Sequence, residues 1–299
     1  MTDVLVLGGA GVDTIVRVPE LPLPFADSYP VDTGVHTRAG QTGDFVALGL
    51  AALGLDVHHL DLIGDDPEGD LVRALHRDRG IALTALPQPA GTKRAVNLVG
   101  PDGRRLSLYD TSRARPGDRF PDDVLRPLAE AARHVHVTIT QPCAEALPLL
   151  RETGVPLSTD LHDWDGENPY HEPFALAADL VFVSAAALPD PERTMRRIAE
   201  RGRAEVVVAT AGAQGAYLLA EGELTHVAPA IPPAPVVDSN GAGDAFAAAF
   251  LYGRLAGADP ERCARYGALA GAYACTVPAT RTDAIGRDGL LGEGAVTAG

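Results

Sequence analysis

Short runs of aliphatic and β-branched residues alternate with amphipathic segments along most of this chain. A short apolar run bounded by turn residues is typical of a buried strand, whereas apolar residues at helical spacing indicate a helix. These patterns predict strands at Val4–Leu7, His58–Ile63, His134–Ile139, Leu157–Asp160, Leu180–Val183 and Glu205–Thr210. They predict helices at Gly43–Leu53, Glu68–Arg79, Asp122–Arg133, Glu145–Glu152 and Pro191–Arg201. The alternation predicts an α/β fold with a doubly wound, mainly parallel sheet and helices on both faces.

Two segments, about 14–36 and 92–110, interrupt this alternation. Both alternate apolar with polar residues and neither is followed by a helix, so we predict antiparallel strands there. In the second segment the turn residues Pro101–Gly103 separate two such strands. An ordinary hairpin at the edge of the main sheet is the alternative. Because no segment has the composition of a domain linker, residues 1–299 are predicted to form a single domain.

Composition and charge limit the class of partner. The chain carries 25 basic and 40 acidic residues, a formal net charge of −15 that disfavours nucleic acid and anionic membranes and leaves small molecules. Its three cysteines are scattered without CxxC spacing, so neither a disulfide framework nor a zinc site is predicted. Because the start of the chain lacks a basic segment and no apolar stretch approaches membrane-spanning length, we expect a soluble, cytoplasmic protein.

The segment DSNGAGDAFAAAF, residues 238–250, combines a glycine-rich turn, a carboxylate and an alanine-rich helix start. The small residues Gly241, Ala242 and Gly243 allow backbone amides to surround a phosphoryl group at a helix N-terminus, where the helix dipole favours negative charge. A carboxylate at this point, Asp244, is suited to accept the proton of an attacking hydroxyl. A capped helix after a glycine turn is the alternative.

This segment resembles the C-terminal signature of the ribokinase-like, or PfkB, carbohydrate kinases, approximately D[TS]xGAGDxFxxA. The resemblance implies a ribokinase-like fold and transfer of a phosphoryl group from ATP to a hydroxyl of a sugar or nucleoside. It also implies that Asp244 is the base and that Gly241–Gly243 form the anion hole. The segments at about 14–36 and 92–110 would then form a small β lid over the acceptor, and two copies could form a homodimer through their lids.

The acceptor side is indicated by two further segments. The first is GGAGVDT, Gly8–Thr14. A glycine cluster after a first strand is also typical of a dinucleotide-binding turn, but the last glycine of GxGxxG is missing here and a β-like run follows. The resemblance implies instead that Asp13 holds substrate hydroxyls, as a carboxylate can. The second segment, RAGQTGDFVALGLAALG, resembles the N-terminal family signature GGxxxNxAxxxARLG and adds Gly40, Gln41 and Asp44 to the expected acceptor site.

Asp44 departs from that signature, which has asparagine at this position. An ionised aspartate only accepts hydrogen bonds, so the acceptor is expected to present donors there, such as two hydroxyls or an amine. The alternative is that Asp44 is a first-turn acid that complements the dipole of its helix.

The nucleotide side is indicated by the string TAGAQG after the strand that ends at Thr210. The resemblance implies that Thr210, Gly212 and Gly215 contact ATP, since a hydroxyl and glycine amides suit phosphate oxygens. A plain hairpin with small turn residues is the alternative.

No residue is assigned as a metal ligand, because the family's NxxE motif is replaced here and Ala187 stands at its acid position. Mg²⁺ is therefore expected to be carried mainly by the nucleotide. A monovalent cation beside Asp238 is allowed by the resemblance.

The expected function is phosphorylation of a hydroxyl of a small sugar or sugar-like substrate, by positioning and charge stabilisation. A nucleoside kinase of the same fold is one alternative. The other is a catalytically weak sugar-binding or regulatory homologue, which the missing acid at Ala187 and the altered Asp44 would favour and the intact Asp244 opposes.

Overall fold

The structure is a computed structural model that describes residues 1–294, so residues 295–299 of the predicted domain lie outside the described part. Its strands are β1 (Thr2–Leu7), β2 (Val12–Arg17), β3 (Val35–Ala39), β4 (Val57–Ile63), β5 (Ala82–Pro87), β6 (Arg94–Val99), β7 (Arg105–Tyr109), β8 (Ala132–Val137), β9 (Leu157–Asp160), β10 (Leu180–Ser184), β11 (Val206–Thr210), β12 (Ala216–Ala220) and β13 (Glu223–Val227). Its helices are α1 (Thr42–Ala52), α2 (Pro67–Asp78), α3 (Asp122–Glu130), α4 (Gln141–Thr153), α5 (Glu172–Ala177), α6 (Pro191–Arg201), α7 (Ala242–Leu255), α8 (Pro260–Ala274) and α9 (Arg287–Gly294).

Within residues 1–294 the larger sheet has nine strands in the order β13-β12-β11-β10-β9-β8-β1-β4-β5. Pairing is parallel from β5 to β11, and the β12 hairpin strand is antiparallel to both of its neighbours. Starting from β1, the chain first adds β4 and β5 on one side of that strand and later adds β8 to β13 on the other. The strand order therefore reverses between β1 and β8. Such a reversal opens a crevice at the carboxyl ends of the strands.

Helices cover both faces of this sheet because its strands are apolar on both sides. In β1, Leu5 and Leu7 pack into a core formed with α3 to α6, whereas Val4 and Val6 pack into a second core with α1, α7 and α8. The predicted α/β, doubly wound fold is therefore confirmed.

Several predicted bounds differ from the structure. The helix predicted to run to Arg133 ends at Glu130, because β8 begins at Ala132 and pairs with β1. The helix predicted from Glu145 begins at Gln141, where Pro142 occupies the first turn, a position that proline favours. The strand β5 was not predicted, since its sequence ALTALP is half-buried and ends in proline.

The two interrupting segments form a separate four-stranded sheet in the order β3-β2-β6-β7, so the alternative of an edge hairpin on the main sheet is wrong. β2 pairs antiparallel with β3, and β6 pairs antiparallel with β7 across the turn at Pro101–Gly103. Contrary to the prediction of antiparallel strands alone, β2 and β6 are parallel, because they belong to different hairpins placed side by side. The first segment is mostly a connection, and its second strand starts only at Val35.

The small sheet has two unlike faces. Asp13, Ile15 and Asn97 are buried on the face turned toward the body. On the opposite face Val35, Leu106 and Leu108 are 57%, 49% and 54% exposed. Because side chains alternate along a strand, this second face is an apolar surface that the described part of the chain leaves uncovered.

None of the helices within residues 1–294 combines the length and the apolar character needed to cross a bilayer.

Candidate active site

The N-terminus of α7 lies at the end of the glycine-rich turn. Gly241 caps this helix in the left-handed conformation with φ 76°, which glycine adopts without the penalty of a side chain. The first amides of any helix have no intrahelical acceptor. A Cβ at the exposed Gly243 would meet nothing closer than Asp160 Oδ2 at 3.5 Å, so the approach to these amides is open.

Asp244 lies in the first turn of α7, beside these amides. Burial raises the pKa of its carboxyl to about 6, while the charge of His162 and a hydrogen bond from Thr42 act in the opposite direction. The Thr42 hydroxyl donates to Asp244 Oδ1 at 2.6 Å. A carboxyl with this pKa is ionised near neutral pH and is still basic enough to take up a proton.

His162 follows β9 with a φ of 52°, an uncommon backbone conformation for a residue other than glycine. Its backbone amide donates to Asp160 Oδ1 at 2.8 Å, and its ring lies 3.7 Å from Asp160 Oδ2. The carboxyl end of β9 thus carries an imidazole that favours the ionised form of Asp244.

Asp13 lies on β2 and is 6% exposed. Gln41 donates to its Oδ1 at 3.3 Å, and a guanidinium nitrogen of Arg38 lies 3.7 Å from its Oδ2. Burial raises the pKa of Asp13 and outweighs the opposing charge of Arg38. Since Gln41 and Thr42 are neighbours at the start of α1, the structure brings Asp13 and Asp244 to the same end of that helix.

Asp44, expected to contact the acceptor, is fully buried in α1. Its Oδ2 accepts from the backbone amides of Gly11 and Gln41, both at 3.0 Å, and the latter bond forms part of a capping box. Its Oδ1 faces the rings of His59 and His76. The carboxyl group therefore does not line the open site, and its first-turn location matches the structural alternative.

Gly40, another expected acceptor residue, is buried between β3 and α1 with a φ of 130° that favours glycine. A Cβ there would lie 2.6 Å from a guanidinium nitrogen of Arg38, so a side chain would displace the group that flanks Asp13.

On the nucleotide side, Thr210 ends β11 and the turn Gly212–Gln214 leads into the antiparallel strand β12. The segment is a hairpin, and a hairpin is compatible with the expected contact to ATP. Gly212 has a φ of 55° and no heavy atom near the place of a Cβ. Gly215 has a φ of 90°, and a Cβ there would lie 2.1 Å from the Val227 carbonyl oxygen. Gly215 is thus required by strand packing, whereas Gly212 leaves open space.

The small sheet contacts the loop that precedes α7. Arg105 on β7 donates to the side-chain oxygen of Asn240, and Arg17 on β2 lies 3.6 Å from Asp238. Asp238 Oδ1 accepts from the amide of Asn240 at 2.8 Å, and Oδ2 accepts from the amide of Ala279 at 2.5 Å. Both oxygens of the carboxyl that was considered for a monovalent cation are therefore already partnered.

Three contributors to this region were missed from the sequence: Thr42, Arg38 and the pair His59 and His76. The hydroxyl of Thr42 next to Gln41 was a weak signal, since Thr at a helix start is ordinarily a cap. Arg38 and the histidines gave no local signal, because their partners come from distant parts of the chain.

Comparison with known proteins identifies the family of the chain. Residues 174–285 match the family described as pfkB family carbohydrate kinase. The chain is 60% identical over 292 residues to acarbose 7(IV)-phosphotransferase of Actinoplanes sp., covering 97% of each protein. It is 30% identical over 281 residues to ATP-dependent ribose-1-phosphate kinase of Halopiger xanaduensis, covering 91% of each.

Solved structures give the same result. A microbiome-derived acarbose kinase superposes with a TM-score of 0.91 at 45% identity, covering 98% of this chain and 99% of that one. An Arabidopsis thaliana ribokinase complexed with ribose and ATP superposes with a TM-score of 0.77 at 23% identity, covering 98% of both chains, and supports the fold alone. By sequence and by fold, the chain belongs to the pfkB family of carbohydrate kinases.

Proposed function

We propose that this ATP-dependent sugar kinase transfers the γ-phosphoryl group of ATP to a hydroxyl of acarbose or a closely related carbohydrate, with Asp244 as the base. The observation that carries the residue assignment is the location of Asp244 in the first turn of α7 with a pKa of about 6. The substrate is proposed from the 60% identity to the Actinoplanes phosphotransferase over nearly the whole chain.

In this proposal the acceptor hydroxyl lies against Asp244, which accepts its proton as the oxygen attacks the phosphoryl group. The amides of Gly241, Ala242 and Gly243 donate to the phosphoryl oxygens at the positive end of α7, that of Ala242 in exchange for its 3.3 Å bond to the Ser239 carbonyl oxygen. Thr42 keeps Oδ1 of Asp244 in place through its 2.6 Å hydrogen bond, which leaves Oδ2 for the substrate proton. Catalysis then depends on positioning and on charge stabilisation.

Asp13 is proposed to accept hydrogen bonds from other hydroxyls of the acceptor. Its burial on the inner face of the small sheet and its bond from Gln41 support this, since both restrict its rotamer. Gly40 and Gln41 shape the same side. For Asp44 we propose a positioning role in place of direct contact, because its carboxyl is buried and holds the amides of Gly11 and Gln41 on either side of Asp13.

The nucleotide is proposed to lie across the α7 N-terminus toward Thr210 and Gly212. The open approach at Gly243 and the open space at Gly212 fit a polyphosphate, whereas Gly215 has a packing role. With Ala187 at the position where relatives carry an acid, Mg²⁺ would be held mainly by the nucleotide phosphates, whose charge it neutralises when bound. A monovalent cation beside Asp238 stays a prediction, since each oxygen of that carboxyl accepts one backbone hydrogen bond and keeps a further lone pair.

We further propose a single domain in which the small sheet acts as a lid over the acceptor, and a homodimer formed through the exposed apolar face of that sheet. The contacts of Arg105 and Arg17 with the loop before α7 support the lid, because they join it to the phosphate side. A cytoplasmic location fits the free cysteines Cys143, Cys263 and Cys275.

The test is an ATP-consumption assay with acarbose, ribose, other sugars, sugar phosphates and nucleosides, followed by identification of the phosphorylated product. Preferred turnover of acarbose supports the proposal. Preferred turnover of a nucleoside would favour the nucleoside kinase alternative. Binding of acarbose without turnover would favour a sugar-binding or regulatory protein.

A further inference from the structure

Three buried polar side chains from different elements meet beneath the acceptor side. Asp44 of α1 and His59 of β4 are 0% exposed, and His76 of α2 is 2% exposed. His59 Nδ1 lies 2.9 Å from His76 Nε2. Asp44 Oδ1 lies 3.7 Å from His59 Nδ1 and 3.6 Å from His76 Nε2. The three atoms therefore surround one point in the interior.

The outer nitrogens of the two rings determine where their hydrogens lie. His59 Nε2 is 2.9 Å from the Gly8 carbonyl oxygen, and His76 Nδ1 is 3.0 Å from the Val72 carbonyl oxygen. A carbonyl oxygen only accepts, so both outer nitrogens are donors. A neutral imidazole has one N–H, so both inner nitrogens present lone pairs.

Asp44 adds a third lone pair to the same point. Its Oδ1 is buried and has no hydrogen-bond partner among residues 1–294. Three acceptors without a hydrogen among them repel one another, and an unpaired buried carboxylate oxygen is costly. The arrangement therefore needs a positive charge between the three atoms, which either a proton or a metal ion can supply.

The spacing suits a metal ion. A point between the three atoms is about 2.0 Å from each, the radius of the circle through three points at these separations. Zinc binds imidazole nitrogen and carboxylate oxygen at about 2.0–2.2 Å. The outer N–H groups that donate to backbone carbonyls are the second layer of bonds that orients histidine ligands in metal sites.

We propose that Asp44, His59 and His76 bind a divalent transition-metal ion, with Zn²⁺ the ion that best fits these donors and distances. The hydrogen bonds of the outer nitrogens and burial keep both rings in the neutral form that binds metals. Burial also raises the pKa of Asp44 to about 7, so metal binding would release a proton from this carboxyl. The three donors are buried, and a set of three leaves the fourth position of a zinc ion to a ligand other than a protein side chain.

By fixing the orientation of the Asp44 carboxyl, the ion would stabilise the acceptor side through the second oxygen of Asp44. That oxygen accepts from the amides of Gly11 and Gln41, and Gln41 in turn donates to Asp13. This consequence rests on the proposed role of Asp13, whereas the metal site itself does not.

The test uses the full chain without a histidine tag, purified without added Mg²⁺ or nucleotide. Metal content is measured by mass spectrometry before and after treatment with a chelator, and the stripped protein is titrated with Co²⁺ while visible absorption and melting temperature are followed. We expect about one equivalent of ion per chain, a cobalt spectrum with nitrogen and oxygen ligands, and a melting temperature that falls on stripping and returns with Zn²⁺.

His59→Gln and His76→Gln should each weaken metal binding by tenfold or more. The matched control is His136→Gln, which changes a buried histidine outside the cluster whose ring contacts Ser158 at 2.9 Å, and it should keep the ion. If the wild-type protein takes up no stoichiometric Zn²⁺ or Co²⁺ and its melting temperature is the same with and without the chelator, the cluster holds only a proton and the proposal is wrong. This wild-type result decides the question even if the histidine variants do not fold, and it is independent of kinase activity.

Discussion

At the scale of single residues, burial and neighbouring groups have opposite effects on the ionisation of Asp244. Burial raises the pKa of its carboxyl to about 6, and the protein counteracts this only partly with His162 and Thr42. The same burial that makes the group a better base makes its ionised form costly for the folded state. Activity and stability are therefore expected to oppose each other at this residue.

Replacing Asp244 by Asn should lower kcat by about 10²–10⁴, because the amide cannot take up the acceptor proton, while ATP affinity changes little. The variant should also be more stable at pH 8 by up to about 3 kcal/mol, the equivalent of a pKa raised from 3.8 to about 6. The folded pKa lies above the unfolded value of 3.8, so the cost of ionisation is absent below pH 3.8 and fully present above about 6. Steady-state kinetics and urea unfolding at pH 8 measure both effects. Near wild-type turnover in the Asn variant would remove Asp244 from its catalytic role.

The pH profile of the wild type should show kcat/KM for the acceptor falling as pH drops through about 6, where Asp244 becomes protonated. His162→Gln removes a positive charge that favours the ionised carboxyl, so the acidic limb should move to higher pH by up to about one unit. His58→Gln, which changes a half-buried histidine bonded to Thr84 at 2.8 Å, is the control and should leave the limb in place. An unchanged limb in His162→Gln would mean that the ring does not act on the base.

Asp13→Ala should reduce kcat/KM for the acceptor by about tenfold or more and spare ATP binding, since a charge-assisted hydrogen bond contributes about 1.5–3 kcal/mol. Isothermal calorimetry with the acceptor and with an ATP analogue separates the two effects. Asp102→Ala, in the turn between β6 and β7, is the control because, in the part of the chain that the structure describes, the Asp102 carboxylate bonds to the exposed Arg104 alone. Equal acceptor affinity in Asp13→Ala and the wild type would place Asp13 outside the acceptor site.

At the scale of elements, the hairpin between β11 and β12 contains two glycines with different constraints. Gly212→Ala meets no neighbouring atom, so it should cost about 1 kcal/mol for its left-handed backbone and raise the KM for ATP if the nucleotide passes over it. Gly215→Ala would bring its Cβ within 2.1 Å of the Val227 carbonyl oxygen and should unfold the hairpin or the protein. Melting temperature and ATP kinetics measured on both variants test this. A stable Gly212→Ala with unchanged KM for ATP would show that the turn is only a hairpin.

At the scale of the whole molecule, the exposed apolar face of the small sheet predicts a dimer. Light scattering should give twice the chain mass of 31.1 kDa for the wild type, and the double variant Leu106→Glu/Leu108→Glu should give a monomer. Leu71→Glu is the control, because Leu71 is similarly exposed at 41% but lies on α2. A monomeric wild type at micromolar concentration would contradict the proposed lid-to-lid dimer.

The sequence alone was sufficient for the features that depend on local interactions. The alternation of apolar strands and amphipathic helices specified the sheet and its layers, because side-chain period and turn residues are read within a few positions. The turn at 238–250 specified a glycine-capped helix with Asp244 in its first turn for the same reason. The family resemblance drawn from this turn was confirmed.

Only the tertiary structure decided which distant groups meet. The bond from Thr42 to Asp244 joins residues 202 positions apart, and the contact of His59 with His76 requires β4 and α2 to pack in one register. An acid in the first turn of a helix, such as Asp44, can either cap the helix or contact a ligand. The sequence alone does not distinguish these two roles. Burial by surrounding strands turned its carboxyl toward two backbone amides and two imidazoles, because side-chain environment is set by long-range packing that no local pattern encodes.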